Sequence, residues 1–270
     1  MEKEIMATTE TSKQVATKSK AQDLAITTLN QNEVEAWVDD LADTAELLIP
    51  KAILMQAVSQ LVQESTCSSG DIIRSTDKKV LGNSKKPFTF IPFHMSRTWI
   101  ENKYDGGMYS WDHERPYTAE NANDEWEYEV DGAKWKRQKA YNFYALLPDE
   151  TDPTALPIIK LQFKSGSARA GTQLADFFAR ISVTNKTRKM QGLGPIPPAF
   201  KTWKLSSKLM EGDKNKYQAF QVEQGPDSTK EQIEQAASWY MMMKTQPTKV
   251  KEHEVKENTE GSVVSEADAF

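Results

Sequence analysis

Within Ile158–Lys164 apolar and polar residues alternate from Ile159 onward. Ile159, Leu161 and Phe163 fall on one side, Lys160, Gln162 and Lys164 on the other. A period of two over this length specifies a strand with one apolar face. The period then changes. From Ser167 onward, Leu174, Phe177, Phe178 and Ile181 recur at the spacing of one helix face. Two β-rich runs follow, Phe200–Lys208 and Lys216–Val222, joined through Gly212 and Asp213.

More strands precede this block. Phe88–His94 and Arg97–Tyr104 are β-rich, with Pro92 marking an edge or a bulge. Gly106 and Gly107 open a long polar loop reaching about Asn123. Trp126–Val130 and Ala133–Leu147 flank Asp131-Gly132, a strong hairpin signal. Pro148–Pro157 and the stiff Gly192–Pro198 run are loops. Ser228 and Glu231 cap a last helix carrying Ile233, Ala237, Tyr240 and Met243, which stops before Pro247. The expected fold is mainly β with flanking helices. Several strands, one helix and two more strands suit an OB-like five-stranded Greek-key barrel, in which a helix sits between strands three and four. An irregular α+β sheet is the alternative.

The N-terminal region reads differently. Residues 1–30, rich in Thr, Ser, Lys and Gln, form a disordered tail. A helical arm occupies 31–66. One helix starts near Asn32 and carries Trp37 and Leu41; after Pro50 a second, with Ile53, Leu54, Leu61 and Val62, runs toward Glu64. This arm packs on the domain or mediates self-association. The OB-like domain with its C-terminal helix spans 67–245, and 246–270 is a disordered acidic tail.

Charge is segregated along the chain. Residues 1–67 hold 5 basic and 11 acidic groups, residues 68–222 hold 24 and 18, and residues 223–270 hold 5 and 10. A centre of net +6 between acidic ends can hold a polyanion despite the overall charge of −5. Cys67 is the one cysteine, which excludes an internal disulfide framework and fits a reducing cytoplasm. With His94, His113 and His253 far apart, no Cys/His zinc spacing exists, and no cofactor or metal is expected. Neither a signal peptide nor a membrane span is read.

The basic centre is also aromatic, holding five of the seven Trp residues. Bases stack on such rings with ~1–3 kcal/mol each, whatever the sequence, because every base has a π-face. The candidate DNA-binding residues are Arg97, Trp99, Tyr104, Trp111, Trp126, Lys134, Trp135, Lys136, Arg137, Tyr141, Lys160, Lys164, Arg169, Lys204 and Lys208. Phe143, Phe163, Phe177 and Trp203 are assigned to the core. Lys160 with Lys164, and Lys204 with Lys208, each share a strand face opposite apolar residues and read as groove walls.

Enzymatic readings are thinner, and the chain is taken as a non-enzymatic binding protein. It has no phosphate-cradling Gly-rich motif. Asp112-His113-Glu114 is a compact set of ligand types, but neighbours on a chain point apart. Asp149 with Gln162-Phe163-Lys164 loosely matches a metal-dependent nuclease pattern, with Gln162 where a second carboxylate belongs. A third reading is an interaction protein that binds host machinery through its acidic ends.

Several blocks resemble single-stranded DNA-binding proteins of tailed bacteriophages. They are Gly70-Asp-Ile-Ile-Arg-Ser-Thr, Val80-Leu-Gly, Phe90-Ile-Pro-Phe with Trp99, Tyr141-Asn-Phe-Tyr-Ala-Leu-Leu, Leu161-Gln-Phe-Lys-Ser with Gly171-Thr-Gln-Leu, Phe200-Lys-Thr-Trp-Lys-Leu and Lys216-Tyr-Gln-Ala-Phe. The resemblance covers roughly residues 70–245. It implies an OB-like fold and sequence-tolerant binding of single strands in phage replication, recombination or repair. After Lys256 the chain has only acidic charges, Glu257, Glu260, Glu266 and Asp268, before Phe270. This resembles the acidic tails, closed by Phe, of bacterial and phage single-stranded DNA-binding proteins, with Ala269 where Pro is frequent. That resemblance implies that Glu266, Asp268 and Phe270 recruit replication or recombination proteins.

Overall fold

Strand β4 (Phe88–Asp105) organises the protein: it is 18 residues long and changes partners along its length. The computed structural model describes residues 48–105, 108–212 and 215–245. The expected N-terminal tail, residues 31–47 of the arm, and the segment with Glu266, Asp268 and Phe270 lie outside them.

Phe88–Phe90 of β4 pair with β9 (Lys201–Glu211), which pairs in turn with β10 (Lys216–Asp227). Ile91–Lys103 pair with β7 (Ala133–Leu146) on the other side. The far half of β4 also takes β5 (Met108–Pro116), while β7 takes β8 (Ile158–Phe163) at one end and β6 (Glu127–Val130) at the other. All these pairings are antiparallel and make one seven-stranded sheet. β1 (Ala52–Leu54), β2 (Ile72–Arg74) and β3 (Val80–Gly82) form a separate three-stranded sheet.

The structure is mainly β, as expected, but among the described residues the ladders do not close into a barrel. Two local causes are visible. β4 and β7 run past the core as a ribbon, and the edge of β10 is met by a side chain instead of a strand: Gln56 and Gln218 exchange two hydrogen bonds. β1 reaches the large sheet through one parallel bridge, Lys51 to Lys160. Residues 52–54, expected in a helix, are therefore a strand, held by Ile72–Arg74. Only Gln60–Gln63 are helical there, as α1. The expected loop after Gly107 contains β5, which pairs with β4 and whose Arg115 donates across to Glu101 of β4.

Other expectations hold. Asp131 and Gly132 have φ of 52° and 75°, as a two-residue hairpin turn requires, and join β6 to β7. The helix after β8 is α2 (Ala168–Met190), burying Leu174, Phe177 and Ile181. Phe177 meets Trp203 edge-on at 5.3 Å and stacks on Phe200. Phe143, Phe163, Phe177 and Trp203 are all buried in one cluster with Phe90 and Leu161. Gly171 lets α2 seat closely: a Cβ there would lie 2.7 Å from the Cβ of Phe163. The last helix, α3 (Lys230–Thr245), packs Ala236, Trp239 and Met243 on a second cluster with Ile91 and Phe93. Its capping box is Thr229 with Gln232, one residue beyond the pair expected.

Candidate nucleic-acid interface

Alternation along β7 sends Phe143 and Ala145 into the core and, on the same face, carries Tyr141, Lys139, Arg137 and Trp135 outward along the ribbon. The register sets β4 residues beside them: Arg97 opposite Tyr141, Trp99 opposite Lys139, Glu101 opposite Arg137 and Lys103 opposite Trp135. Rungs on one face repeat at about 7 Å, twice the strand rise. The core face of the sheet thus continues beyond the core as a ladder of rings and cations.

Each rung has its own chemistry. The Arg97 guanidinium lies over the Tyr141 ring at 5.5 Å. The Lys139 ammonium stands 4.5 Å from the Tyr117 ring and 5.8 Å from the Trp99 ring. Arg137 lies over Tyr128 at 4.1 Å, and Tyr128 stacks on Trp135 with 18° between the planes. Cation–π contact of this kind contributes ~0.5–1 kcal/mol at exposed sites and more when desolvated.

Two of the rungs are fixed from behind. Trp99 is 1% exposed, and its indole N–H donates to the Asn121 carbonyl and side-chain oxygens. It therefore serves as a floor on which Tyr117 and Trp126 rest, at 5.2 and 5.9 Å. Trp126 itself is 47% exposed. Arg137 is buried and donates to Glu101 and to the Glu125 carbonyl, while Arg115 donates to Glu101 and Asp124. This network neutralises its own charge and holds β5, β6 and the loop between them against the ribbon.

The remaining expected contacts lie elsewhere. Lys134 and Lys136 are on the reverse face of β7, opposite Glu129 and Glu127. Lys160 was expected on a solvated face, but β8 is buried on both faces; Lys160 is 3% exposed and 3.7 Å from Glu114. Lys204 and Lys208 are exposed on β9, on the side away from Trp203 and Leu205, and face away from the ladder. Lys164 follows the end of β8, and Arg169 is exposed in the first turn of α2. For Tyr104 and Trp111 the structure gives the register alone: Tyr104 opposite Tyr109, and Trp111 opposite Asn102. The ladder also takes in Tyr117, Tyr128 and Lys139, rings and a phosphate-holding cation of the expected basic, aromatic centre; their chemistry was legible, their cross-strand partners were not.

The residues of the nuclease pattern lie in different settings. Asp149 is exposed in a loop, and the buried Gln162 amide donates to Asn142 and Glu114. Glu114 also accepts from Thr98 and Asn142. Burial pushes its carboxyl up, but the Lys160 charge, the Thr98 hydroxyl, Lys51 and Asn142 outweigh this and hold it below its ordinary value. Glu114 is thus a pin between β5, β7 and β8. Among the described residues no cluster of three or more His, Cys, Asp or Glu could hold a metal.

A family model described as Pam3 phage gp34-like protein matches residues 16–256. No curated protein matches the chain, and no solved structure does. The matched segment takes in the ladder, the core and both long helices, and so this chain belongs to the Pam3 phage gp34-like family, a family of phage proteins.

Proposed function

We propose that the protein binds single-stranded DNA along the outer part of the β4–β7 face, in replication, recombination or repair of phage DNA in the host cell. The observation that carries this reading is the repeated rung of ring plus cation, Arg97 with Tyr141 and Lys139 with Tyr117, on one continuous face. Bases stack on rings in any sequence, and cations beside the rings meet phosphates. The net charge of +6 over residues 68–222 supports it. A ribbon face is open to a flexible strand whose bases are unpaired, whereas a duplex hides its base faces. The related fold reading is an OB-like one, opened out, with α2 lying between β8 and β9 in chain order.

The test is a titration of intrinsic Trp fluorescence with oligo(dT) at low salt, beside a duplex of equal length. Quenching by the single strand and much weaker quenching by the duplex is expected. Absence of quenching, or equal quenching by both, overturns the reading.

A further inference from the structure

Where the ladder meets the helices, α2, α3 and the middle of β4 enclose a cleft of about 580 Å³. That is within the ~300–1,000 Å³ range of sites for small organic groups. Its walls are apolar, with Phe93 and Phe178 and the small side chains of Ala175, Ala179 and Ala237. Tyr240 and His94 line it too, their rings 5.7 Å apart. Arg97 is also among the lining residues, and it is the same exposed Arg97 that lies over Tyr141 on the first rung of the ladder. One cation therefore belongs to both surfaces.

We infer that this cleft takes one unpaired base from a strand lying on the ladder, with Arg97 meeting that nucleotide's phosphate; the inference rests on the function proposed above. The volume decides against the methyl or isopropyl group of an aliphatic side chain, which would leave most of the space empty. The position of Arg97 decides for an anionic ligand that continues onto the ladder. Tyr240 and His94 supply π-faces, and the alanines leave room for a flat group between helices. A base in a single strand is already unpaired, so little is spent in turning it into the cleft.

The test uses the full chain and oligo(dT) of ~4–16 nucleotides, the usual range of single-strand site sizes. Ala179→Leu with Ala237→Leu fills the cleft with aliphatic carbon from two exposed helix positions and adds no ring. A thermal melt matching that of the wild type establishes that this variant is folded. The filled variant is expected to bind the shortest tightly bound oligonucleotide about tenfold more weakly, the loss of one stacked base. In the wild type, one abasic unit at one particular position should cost a similar factor, and in the filled variant nothing further. If the folded variant binds like the wild type, and abasic units act alike at every position, the base slot is overturned and the cleft is left to an apolar side chain of a protein. If the wild type fails to bind any oligo(dT) at low salt, the ladder reading falls and takes the slot with it.

Discussion

Gln56 and Gln218, 162 positions apart, are joined by two hydrogen bonds: the Gln218 N–H donates to Gln56 Oε1 at 2.8 Å, and Gln56 Nε2 donates to the Gln218 carbonyl at 3.0 Å. A primary amide has the donor and acceptor of a peptide group, so this side chain satisfies the edge of β10 as a strand residue would. Gln56→Ala leaves a partly buried N–H and C=O without these partners and should cost ~1–2 kcal/mol, read as a lower urea midpoint at unchanged slope. Gln56→Asn, one methylene too short, should lose as much.

Trp99 and Trp126 touch, yet their substitutions should separate stability from binding. Trp99→Ala empties a buried, hydrogen-bonded position and is expected to cost ~3–5 kcal/mol of stability. Trp126→Ala removes a half-exposed ring; the prediction is a stability change within ~1 kcal/mol and a loss of ~1–3 kcal/mol in oligo(dT) binding. Paired urea and fluorescence titrations measure both.

Salt dependence distinguishes ladder cations from bystanders. Each phosphate neutralised on a single strand contributes about −0.7 to the slope of log affinity against log salt. Arg97→Gln and Lys139→Gln should each reduce the slope by about that amount. Lys204→Gln, on the reverse side and opposite Glu223, should leave it unchanged.

Acid should destabilise the fold through three named carboxyls. For Asp77, the hydrogen bond from Arg74 leads the causes that hold its carboxyl below the ordinary value. Burial would raise Glu150, but the Asp152 N–H, Lys79 and Arg74 together outweigh it. Glu114 is lowered as described above. A carboxyl depressed in the folded state contributes stability that is full above its unfolded value, ~4, and is lost as pH falls through the folded value. Urea midpoints should therefore be flat near neutrality and decline below about pH 4–5. Glu150→Gln removes one of the two carboxylates paired with the buried Arg74, leaving Asp77 as the other, and should cost ~1.5–3 kcal/mol at pH 7 and reduce that decline.

Gly171 offers a test of close packing. In an open helix Gly→Ala gains up to ~1 kcal/mol from propensity. Here the added carbon would lie 2.7 Å from Phe163 Cβ and 3.0 Å from the Tyr141 ring, and overpacking of this kind costs ~1–3 kcal/mol. Net destabilisation is expected, seen as a lower thermal midpoint, with weaker DNA binding if Tyr141 is displaced.

What could be read in the sequence was whatever depends on near neighbours. The Asp131-Gly132 turn, the alternation of Ile159, Leu161 and Phe163, and the apolar stripe of α2 all appear as local period or turn chemistry. Lys160 was misjudged because its partner, Glu114, lies on another strand, and alternation cannot tell a solvated polar face from a buried polar one. Residues 52–54 looked helical because a short apolar run fits either period until a partner strand is known; β2 is that partner. The ladder was half legible. Its residue types stood out as a basic, aromatic centre, but Arg97 meets Tyr141 only through the β4–β7 register, and β4 carries a bulge between Pro92 and His94 that shifts the count.

That register has a consequence for errors in folding. Phe143 and Ala145 in the core share a strand face with Arg137, Lys139 and Tyr141 on the ribbon. A slip of β7 by one residue would put Phe143 among the buried polar groups of Gln162 and Glu114, Asn142 into the apolar core, and every ladder residue of that strand on the back of the sheet. No misthreaded copy could keep one surface and lose the other. Burying Asn142 among apolar side chains leaves its amide without partners, so the packing that rejects the slipped register also keeps the ladder residues on their own face.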